Sequence, residues 1–407
     1  MSTSWYSVAA AGGRFQRLAA AAGAAMALAG AWPGPAEAGT RFSEPAVFDR
    51  TTDGAYSNAA LALGADGAFY GTTEMGGQYD HGTVFRFVPG QGIEAVHHFK
   101  KKDGRAPRAG LLLLADGSLW GVASQGGRHD KGTIFRLAPG GQLEAVHAFD
   151  GVDGEYPLAT LTQARDGWLY GATAGRTDAY AGSVFRIDPA SRRFELLHRF
   201  EGSANSAPLG HSPTGKLLQA RDGYLYGTAY RGGSHGQGTV YRVDPASGQV
   251  QLVHVFDGSQ GCEPYAGLTE GPDGALYGAA TQCGAGGSGT VFRLTPTAQG
   301  ADVQALHHFD WFNEASGPVC DLTLASDGYL YGCTQDMGYG SAFRILPDGH
   351  AYNRFVLAGW RTPSKGAFPW GRLLEHDGAL WGTLSMGVYT EYSAGTIYKL
   401  TTTKVQP

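Results

Sequence analysis

One short phrase recurs seven times in this chain of 407 residues and restricts the folds that the chain can adopt. Each copy contains an Asp-Gly pair, then an aromatic-Gly step, and later a short apolar segment that ends near an Arg or Lys. The pairs begin at Asp66, Asp116, Asp166, Asp222, Asp273, Asp327 and Asp377. Self-similarity at a spacing of 50 to 56 residues indicates that each copy builds one structural unit.

The copy around Asp116 shows what one unit must be. Asp116-Gly117 is a hairpin signal, because glycine adopts positive φ without strain. Four segments of this copy have the pattern of strands, at residues 111–114, 119–123, 133–137 and 143–149. Four antiparallel strands in about 50 residues are typical of one propeller blade. A single blade cannot bury both of its faces, so the copies must pack around a common axis.

Seven copies therefore predict an all-β fold, a seven-bladed β-propeller of four-stranded antiparallel blades. The seventh copy ends at Leu400, after its third strand. Residues 44–49 resemble residues 253–257, which form a predicted fourth strand. We expect the N-terminal strand to complete blade seven and close the ring, because closure removes the open sheet edges that favour aggregation.

Residues 1–38 have the pattern of a secretory signal peptide. Two arginines precede a run rich in Ala and Leu at residues 18–31, and the Ala-Glu-Ala sequence at 36–38 fits a cleavage site. A membrane anchor is the alternative, but the run is short and rich in alanine. We expect cleavage near Ala38, a single propeller over residues 39–407, and a secreted or periplasmic protein without a membrane span.

The charge of the chain argues against a nucleic-acid partner. The sequence has 31 Lys and Arg against 36 Asp and Glu, a formal net charge of −5. Domains that bind nucleic acid have a basic composition, which this chain lacks. We expect a monomer.

The sequence has four cysteines, which are Cys262, Cys283, Cys320 and Cys333. The first two lie almost symmetrically about Asp273, and the last two lie almost symmetrically about Asp327. Residues placed symmetrically about a hairpin turn face each other across the strands, within reach of a disulfide. We therefore predict two disulfides, Cys262–Cys283 and Cys320–Cys333, which an exported protein permits.

A metal site is the alternative for these cysteines, but no Cys-x-x-Cys or His-x-x-x-His spacing supports it. We expect no cofactor, and the sequence leaves a structural divalent cation open.

Two kinds of loop should converge on one face of the ring. One kind joins the fourth strand of a blade to the next blade, and the other joins the second and third strands within a blade. Such loops on a rigid scaffold usually carry binding and catalysis. Their candidates for substrate binding are Lys102, Arg105, Arg108, Arg128, Lys131, Tyr230 and Arg231. Together with Lys100 and Lys101, most of these form a basic patch in blades one to three that would attract a polyanion. The alternative is a cluster of solvated loop residues.

Eight of the 13 histidines fall into two groups. Five of them occupy one slot of the fourth strand, which indicates a structural role repeated in each blade: His97, His147, His198, His254 and His307. His129, His211 and His235 break this pattern and lie in the convergent loops, where a functional role and a solvated role both fit.

A Tyr and an Arg recur 16 residues apart on adjacent strands, as in Tyr170 with Arg186 and Tyr277 with Arg293. We interpret most of these pairs as a packing ladder of rings and guanidinium groups. One copy could still be recruited for catalysis where loop residues supply the other groups.

The phrase Asp-Gly-x-Leu-Tyr-Gly, followed by Gly-Gly and then by Gly-Thr-Val-Phe-Arg, resembles the repeats of the GloVer tandem-repeat family of exported bacterial proteins. The resemblance covers residues 41–400. Many members of that family resemble anchored surface proteins. The resemblance implies an exported repeat protein and leaves its activity open.

A looser similarity is to the seven-bladed polysaccharide lyases that cut ulvan, which use loop histidines of one blade with a Tyr and an Arg of the next. Two sets of residues in this chain match that pattern. They are His129, Tyr170 and Arg186, with Arg108 in place of a second histidine, and His211, His235, Tyr277 and Arg293.

This similarity implies β-elimination at a uronate of an anionic polysaccharide. An Arg neutralises the carboxylate so that the C5 proton becomes acidic, a Tyr or His takes that proton, and a Tyr or His protonates the leaving oxygen. On this hypothesis Arg186 binds the carboxylate and Tyr170 acts as base and acid. His129 and Arg108 would stabilise charge.

The competing hypothesis is a non-catalytic propeller that binds carbohydrate or protein at the cell envelope, because propellers host both kinds of function. A hydrolase is a weaker alternative. It would need two carboxylates facing each other in a groove, and the acidic loop residues are too scattered to nominate a pair.

Overall fold

In the computed structural model of the chain, the residues described are 40–175, 180–205, 207–310, 316–335, 340–356, 366–387 and 393–402. The signal peptide predicted at 1–38 lies outside them and stays a prediction. The described residues form seven antiparallel sheets and contain no helix. These sheets are the blades of a seven-bladed β-propeller, which confirms the predicted fold.

The chain enters the fold with β1 (Thr40–Asp49) and then builds three blades of four strands each. Blade one contains β2 (Ala62–Leu63), β3 (Phe69–Thr73), β4 (Thr83–Val88) and β5 (Gly92–His98). Blade two contains β6 (Leu112–Leu113), β7 (Leu119–Ala123), β8 (Thr133–Leu137) and β9 (Leu143–Ala148). Blade three contains β10 (Thr162–Gln163), β11 (Leu169–Thr173), β12 (Ser183–Ile187) and β13 (Phe194–Arg199).

The remaining blades repeat this plan, except that the first strand of blades four and seven is split into two pieces that both pair with the second strand. Blade four contains β14 (His211–Pro213), β15 (Leu218–Gln219), β16 (Leu225–Arg231), β17 (Thr239–Val243) and β18 (Val250–Val255). Blade five contains β19 (Thr269–Glu270), β20 (Leu276–Ala280), β21 (Gly287–Thr297) and β22 (Gly300–Asp310). Blade six contains β23 (Thr323–Leu324), β24 (Leu330–Thr334), β25 (Ser341–Ile345) and β26 (Asn353–Val356). Blade seven contains β27 (Gly366–Pro369), β28 (Leu374–His376), β29 (Ala379–Gly387) and β30 (Ser393–Thr402).

The aromatic-Gly step of the repeat is a packing requirement of the second strand. In blade two, Gly121 is the registered partner of Phe135 on the third strand. A Cβ at Gly121 would lie 2.5 Å from Phe135 Cζ, so the ring crosses a position that only glycine leaves open. Gly171 has the same relation to Phe185 in blade three, at 2.4 Å. The repeated glycine therefore makes room for an aromatic core.

Neighbouring blades are joined by aromatic contacts that are nearly edge-on. A Phe at the end of the fourth strand of one blade meets the third-strand aromatic residue of the next, with ring centroids 4.9 to 5.3 Å apart. These pairs are Phe48–Phe85, Phe99–Phe135, Phe149–Phe185, Phe200–Tyr241, Phe256–Phe292 and Phe309–Phe343. Each such pair adds about 0.5–1.5 kcal/mol beyond the burial of its area. The core therefore lies between blades rather than within them.

The first strand of the fold closes the ring. β1 pairs with β30 as the outermost strand of blade seven, and its Phe48 meets Phe85 of blade one as fourth-strand residues do elsewhere. Thr383 Oγ1 of blade seven donates to the Ala59 carbonyl of blade one at 3.1 Å, and an equivalent bond joins blades one and two at 2.9 Å. The predicted closure is confirmed.

Both predicted disulfides are present. Cys262–Cys283 in blade five has a Cα–Cα distance of 5.4 Å, and Cys320–Cys333 in blade six has one of 5.6 Å. Structural disulfides persist in oxidising compartments, which supports an extracellular or periplasmic protein. Over the described ranges, no helix is long and apolar enough to cross a membrane.

Candidate functional site at the channel mouth

The segment that leads from the fourth strand of one blade to the second strand of the next contains, in every blade, a residue with positive φ. The seven residues are Tyr56, Ala106, Tyr156, Ser212, Glu263, Gly317 and Phe368, with φ between 51° and 64°. This conformation is costly for the non-glycine residues unless surrounding bonds fix it. In blade two, the Ala106 amide donates to His81 O of blade one at 3.0 Å, and the Ser124 amide donates to Ala106 O at 3.2 Å. Each joint thereby fixes where the chain turns toward the ring axis.

Beyond the joint, two positions of each blade face the central channel. They lie three residues and one residue before a buried leucine, which is Leu61 in blade one. Most of these side chains are partly exposed, whereas the residue between the two positions is buried in every blade. The outer set, the mouth layer, is Asn58, Arg108, Leu158, Thr214, Tyr265, Val319 and Trp370. The inner set, the neck layer, is Ala60, Gly110, Thr160, Lys216, Gly267, Asp321 and Arg372.

Three aromatic rings from different blades meet at the mouth layer. The Tyr265 and Trp370 ring centroids are 5.8 Å apart, and the Tyr230 and Tyr265 centroids are 6.0 Å apart. All three side chains are partly exposed. This aromatic trio offers apolar faces together with two hydroxyl groups and an indole, a combination that is typical of a small-molecule or sugar site.

The carboxylate of Glu263 holds the Tyr230 ring of the aromatic trio in place. Glu263 accepts a hydrogen bond from the Tyr230 hydroxyl at 2.6 Å and from Arg231 Nη2 at 2.9 Å. Burial, followed by the nearby Glu263 carboxylate, raises the pKa of Tyr230. The Tyr230 phenol therefore stays protonated at ordinary pH and acts as a hydrogen-bond donor.

A second carboxylate lies on the other side of the mouth. Glu74 forms an ion pair with Arg108 and accepts from Asn58 Nδ2 at 2.9 Å. Burial raises the pKa of Tyr265, and the charges of Arg108 and Glu74 act on it in opposite directions. Charged groups of blades one and two therefore act on a side chain of blade five across the mouth.

The predicted basic patch is largely neutralised by carboxylates. Arg108 is paired with Glu74, and Lys131 is paired with Glu155. Arg105 lies 3.3 Å and Lys101 lies 3.7 Å from Asp130.

Lys100 lies over the Tyr79 ring, 5.1 Å from its centroid, and Lys102 and Arg128 are the other basic residues of the patch that have no carboxylate partner in the described part of the chain. Both are exposed, and among the described residues neither has a carboxylate within 4.0 Å. Together with Lys101 and Gly127 they line a shallow groove of about 470 Å³. The patch therefore reduces to a small cationic groove on the same face as the mouth.

Tyr170 and Arg186 lie at the Asp-Gly end of their blade. The Tyr170 hydroxyl donates to Asp166 Oδ2 at 2.7 Å, and Arg186 Nη1 donates to the Tyr170 oxygen at 3.3 Å. Arg186 also pairs with Glu195 at 2.7 Å and lies over the Trp168 ring. Burial raises the pKa of Tyr170 to about 12. These contacts bind the turn to the strands.

Tyr277 and Arg293 have a related arrangement in blade five, in which the Arg bonds the Asp directly. The Tyr277 hydroxyl donates to Asp273 at 3.1 Å, and Arg293 Nη2 donates to the same oxygen at 2.7 Å. The recurrence of this triad explains why Tyr and Arg repeat at a fixed spacing.

The loop histidines lie at the opposite end of the blades. His129 and His235 are exposed in loops that follow the second strands, whereas His211 is 7% exposed and bonded to Ser212 at 2.8 Å. The structure therefore does not bring His129 together with Tyr170 and Arg186. It likewise separates His211 and His235 from Tyr277 and Arg293, because each Tyr–Arg pair sits beside its Asp-Gly turn.

The histidines of the fourth strands have packing roles. Each ring packs edge-on against the Phe two residues further along, with centroids 4.8 to 5.1 Å apart. His147 also bonds Asp153 at 2.7 Å. Burial lowers the pKa of His198 and His254, which favours the neutral ring.

The sequence reasoning missed Trp370 and the charged neck residues Lys216, Asp321 and Arg372. A signal for them was present. When the seven copies are aligned on the buried inner leucine, the positions three and one residues before it vary widely, while the positions around them stay small or apolar.

The profile of one family, the Gloeobacter/Verrucomicrobia repeat, matches the chain twice, at residues 35–213 and 212–406. The two matches together include every blade. A comparison with curated proteins gave no match.

Solved structures share the architecture at low identity. The extracellular domain of a hybrid two-component system from B. thetaiotaomicron has a TM-score of 0.56 at 14% identity, over 88% of this chain and 40% of that one. This chain thus spans about two fifths of that protein's length. A protein of unknown function from Dyadobacter fermentans has a TM-score of 0.50 at 11% identity, over 90% and 100% of the two chains. The PQQ-bound aldose sugar dehydrogenase from Streptomyces coelicolor has a TM-score of 0.45 at 17% identity, over 72% and 93%. For the two structures with TM-scores of 0.50 or more, the similarity at these identities shows the fold alone.

Proposed function

The chain belongs to the Gloeobacter/Verrucomicrobia repeat family, and from the geometry of its channel mouth we propose that it is a carbohydrate-binding propeller that acts outside the cytoplasm. In this proposal residues 1–38 are the export signal, cleaved near Ala38, and the mature propeller works as a monomer. The observation that carries the proposal is the aromatic trio of Tyr230, Tyr265 and Trp370 at the mouth.

Sugar rings present both C–H faces and hydroxyl groups. The C–H faces pack on aromatic rings, and the hydroxyls need donors and acceptors at the edge of the contact. The mouth supplies both kinds of contact, because the Glu263 and Glu74 carboxylates lie beside the rings with acceptor capacity left, and the Tyr230 oxygen can accept while its proton is donated to Glu263. These polar groups are held by Arg231 and Asn58, so the site is ordered before a ligand arrives.

We propose that the ligand is an anionic polysaccharide. Lys102 and Arg128 supply two cations without carboxylate partners in the described part of the chain, on the face that holds the mouth. A polymer whose sugars occupy the mouth could place an acidic group in this groove. Lys101, Arg105, Arg108 and Lys131 are already paired with carboxylates and contribute less to such attraction.

Affinity electrophoresis tests the proposal directly. The purified protein would be run through gels that contain alginate, polygalacturonate, ulvan or a neutral glucan, beside a propeller-free reference protein. We expect an acidic polymer to retard the protein more than the neutral glucan does, without becoming shorter. Equal mobility in all gels would overturn the proposal.

A uronate lyase is the second candidate, and one observation favours it. His129 is exposed beside Arg128 in the loop that also carries the cationic groove. An imidazole next to unpaired cations is a reasonable base at a carbohydrate carboxylate. The carboxylate role first given to Arg186 would then fall to Arg128 or Lys102.

The same polymers distinguish the two candidates. A lyase would generate unsaturated uronate, which is followed by its ultraviolet absorbance, and His129→Ala would abolish it. Retardation without new absorbance favours the binding propeller, and absorbance that depends on His129 favours the lyase.

A further inference from the structure

The neck of the channel holds two cations that no carboxylate neutralises directly. Lys216 of blade four has no side-chain hydrogen bond or ion pair within the described ranges, and the Arg372 guanidinium of blade seven donates there only to Thr323 Oγ1, at 3.1 Å. Asp321 lies between them in the ring order, but more than ion-pair distance from both. This leaves a local excess of positive charge inside the channel.

Asp321 is already committed to the backbone. Its Oδ1 accepts from the Gly267 amide at 2.6 Å. Thr160 does the same for the Gly110 amide at 2.9 Å. In blades two and five the neck residue is a glycine, and its backbone amide donates a hydrogen bond to the neck side chain of the following blade. Asp321 therefore has a structural partner as well as a charge.

The rest of the neck leaves room for a ligand. Four of the seven neck residues are small, namely Ala60, Gly110, Thr160 and Gly267. The charged side chains of Lys216, Asp321 and Arg372 come from blades four, six and seven. The charged side chains therefore line the side of the neck formed by blades four to seven. The side formed by blades one to three has only small side chains.

The electrostatics agree with unneutralised positive charge. Burial, and then the neighbouring Arg372 guanidinium, lower the pKa of Lys216, while Asp321 acts in the opposite direction. Two cations close together in a partly buried channel repel each other, and burial removes the water that would screen them. An anion between them would relieve both effects.

We propose that the neck binds one oxyanion group, a carboxylate, sulfate ester or phosphate, between Lys216 Nζ and the Arg372 guanidinium. The planar guanidinium binds two oxygens at once, and the ammonium supplies a compact third contact. This inference deepens the proposed function, because an acidic substituent of a sugar in the mouth would be the natural source of the group. It also stands without that function, since a free inorganic anion has the same chemistry.

Small probes test the neck by isothermal titration calorimetry at fixed ionic strength in chloride. The probes are sodium acetate, sulfate, inorganic phosphate, glucuronate and uncharged glucose. We expect saturable binding of at least one oxyanion, weakened at least tenfold by Lys216→Met and by Arg372→Met. Arg221→Met, which removes a cation with a 62% exposed side chain at the Asp-Gly end of blade four, should bind the probes as the unaltered protein does. The proposal is overturned if no probe binds saturably, or if both neck variants bind the probes as tightly as the unaltered protein does.

The probes also separate the possible sources of the group. Glucuronate that binds more tightly than acetate, phosphate and sulfate points to a sugar acid, and the reverse order points to a free anion. Lys216→Met should fold at least as stably as the unaltered protein, because it removes an unpaired charge from a buried site. Thermal unfolding of both neck variants checks that lost binding is not lost structure.

The two proposals can fail separately. Probes that bind while every polymer leaves mobility unchanged would keep the neck site and remove the carbohydrate function. Polymers that bind equally to Lys216→Met and to the unaltered protein, with no probe bound, would keep the function and remove the neck site.

Discussion

Trp370 of blade seven and Tyr265 of blade five meet at the channel mouth, with ring centroids 5.8 Å apart, although blade six separates them in the ring. The mouth residue of blade six is Val319, which is small and 5% exposed. The two larger rings therefore reach past it toward each other. A contact of this kind depends on how consecutive blades pack around the axis, because blade six sets the distance between blades five and seven.

Trp370→Ala should weaken retention by an acidic polymer at least tenfold, because it removes the largest ring of the mouth. The global stability should fall by less than a fully buried aromatic truncation costs, since the ring is partly exposed, although it packs against the buried Val319, Cys320 and Cys333 of blade six. Trp168→Ala is the matched control, since this Trp lies over Arg186 at the Asp-Gly end. Affinity electrophoresis measures both variants. Equal loss in the two would contradict a site at the mouth.

Phe48→Ala should lower the free energy of unfolding by about 3–5 kcal/mol, as a large buried aromatic truncation does. Phe48 is 3% exposed and holds the closing strand against Phe85. Val47→Ala is the control, because Val47 is 61% exposed on the same strand and should change stability by no more than about 0.5 kcal/mol. Urea unfolding followed by tryptophan fluorescence measures both. Similar costs for the two variants would argue against a closing role for β1.

Tyr170→Phe should lower stability by about 1 kcal/mol, because it removes a hydroxyl bonded to Asp166 and Arg186. It should leave polymer binding unchanged. Tyr226→Phe removes the equivalent bond to Asp222, also at 2.7 Å, and should cost a similar amount.

The same pair of variants tests the catalytic role first assigned to Tyr170. If uronate cleavage is present and Tyr170→Phe abolishes it while Tyr226→Phe does not, Tyr170 acts in catalysis and the purely structural interpretation is wrong.

The stability of the protein should rise with pH through the titration of Lys216. A lysine whose pKa is lower in the folded state binds fewer protons there than in the unfolded chain, over the interval between the two pKa values. Raising the pH across that interval therefore favours folding, up to about 10.4, the usual pKa of lysine.

Lys216→Met should remove this contribution. Urea unfolding at a series of pH values should show the variant more stable at neutral pH, with the difference shrinking as the pH rises. Lys102→Met controls for the loss of a positive charge. Parallel curves for the unaltered protein and Lys216→Met would contradict a lowered pKa at the neck.

The fold could be predicted because its determinants are local and repeated. In each copy the Asp-Gly pair marks the turn after the first strand. The glycine of the second strand marks where a third-strand aromatic ring packs over it, as Phe135 packs over Gly121. Closure by β1 followed because one copy lacked a strand. The disulfides followed from symmetry about two turns.

The site was harder to predict because the same regularity directs attention to repeated residues. Residues equivalent to Tyr170 and Arg186 occur in most blades. In blade three this pair holds the Asp-Gly turn through Asp166, and we attribute the repetition to this structural role. The mouth and neck residues have the opposite property. Trp370 and Lys216 each occur once at their layer, and only the closed ring places them in a shared channel with partners from blades distant in sequence.

The joints that turn each blade toward the axis have a consequence for how such a protein changes over time. Their bonds are made by backbone groups, as between Ala106 and His81, so they place few demands on the side chain two positions further on. A new specificity can then arise by exchanging one channel residue, with the scaffold left intact. The seven mouth-layer positions surround one opening and can be substituted independently, so a few substitutions can produce sites for many different ligands.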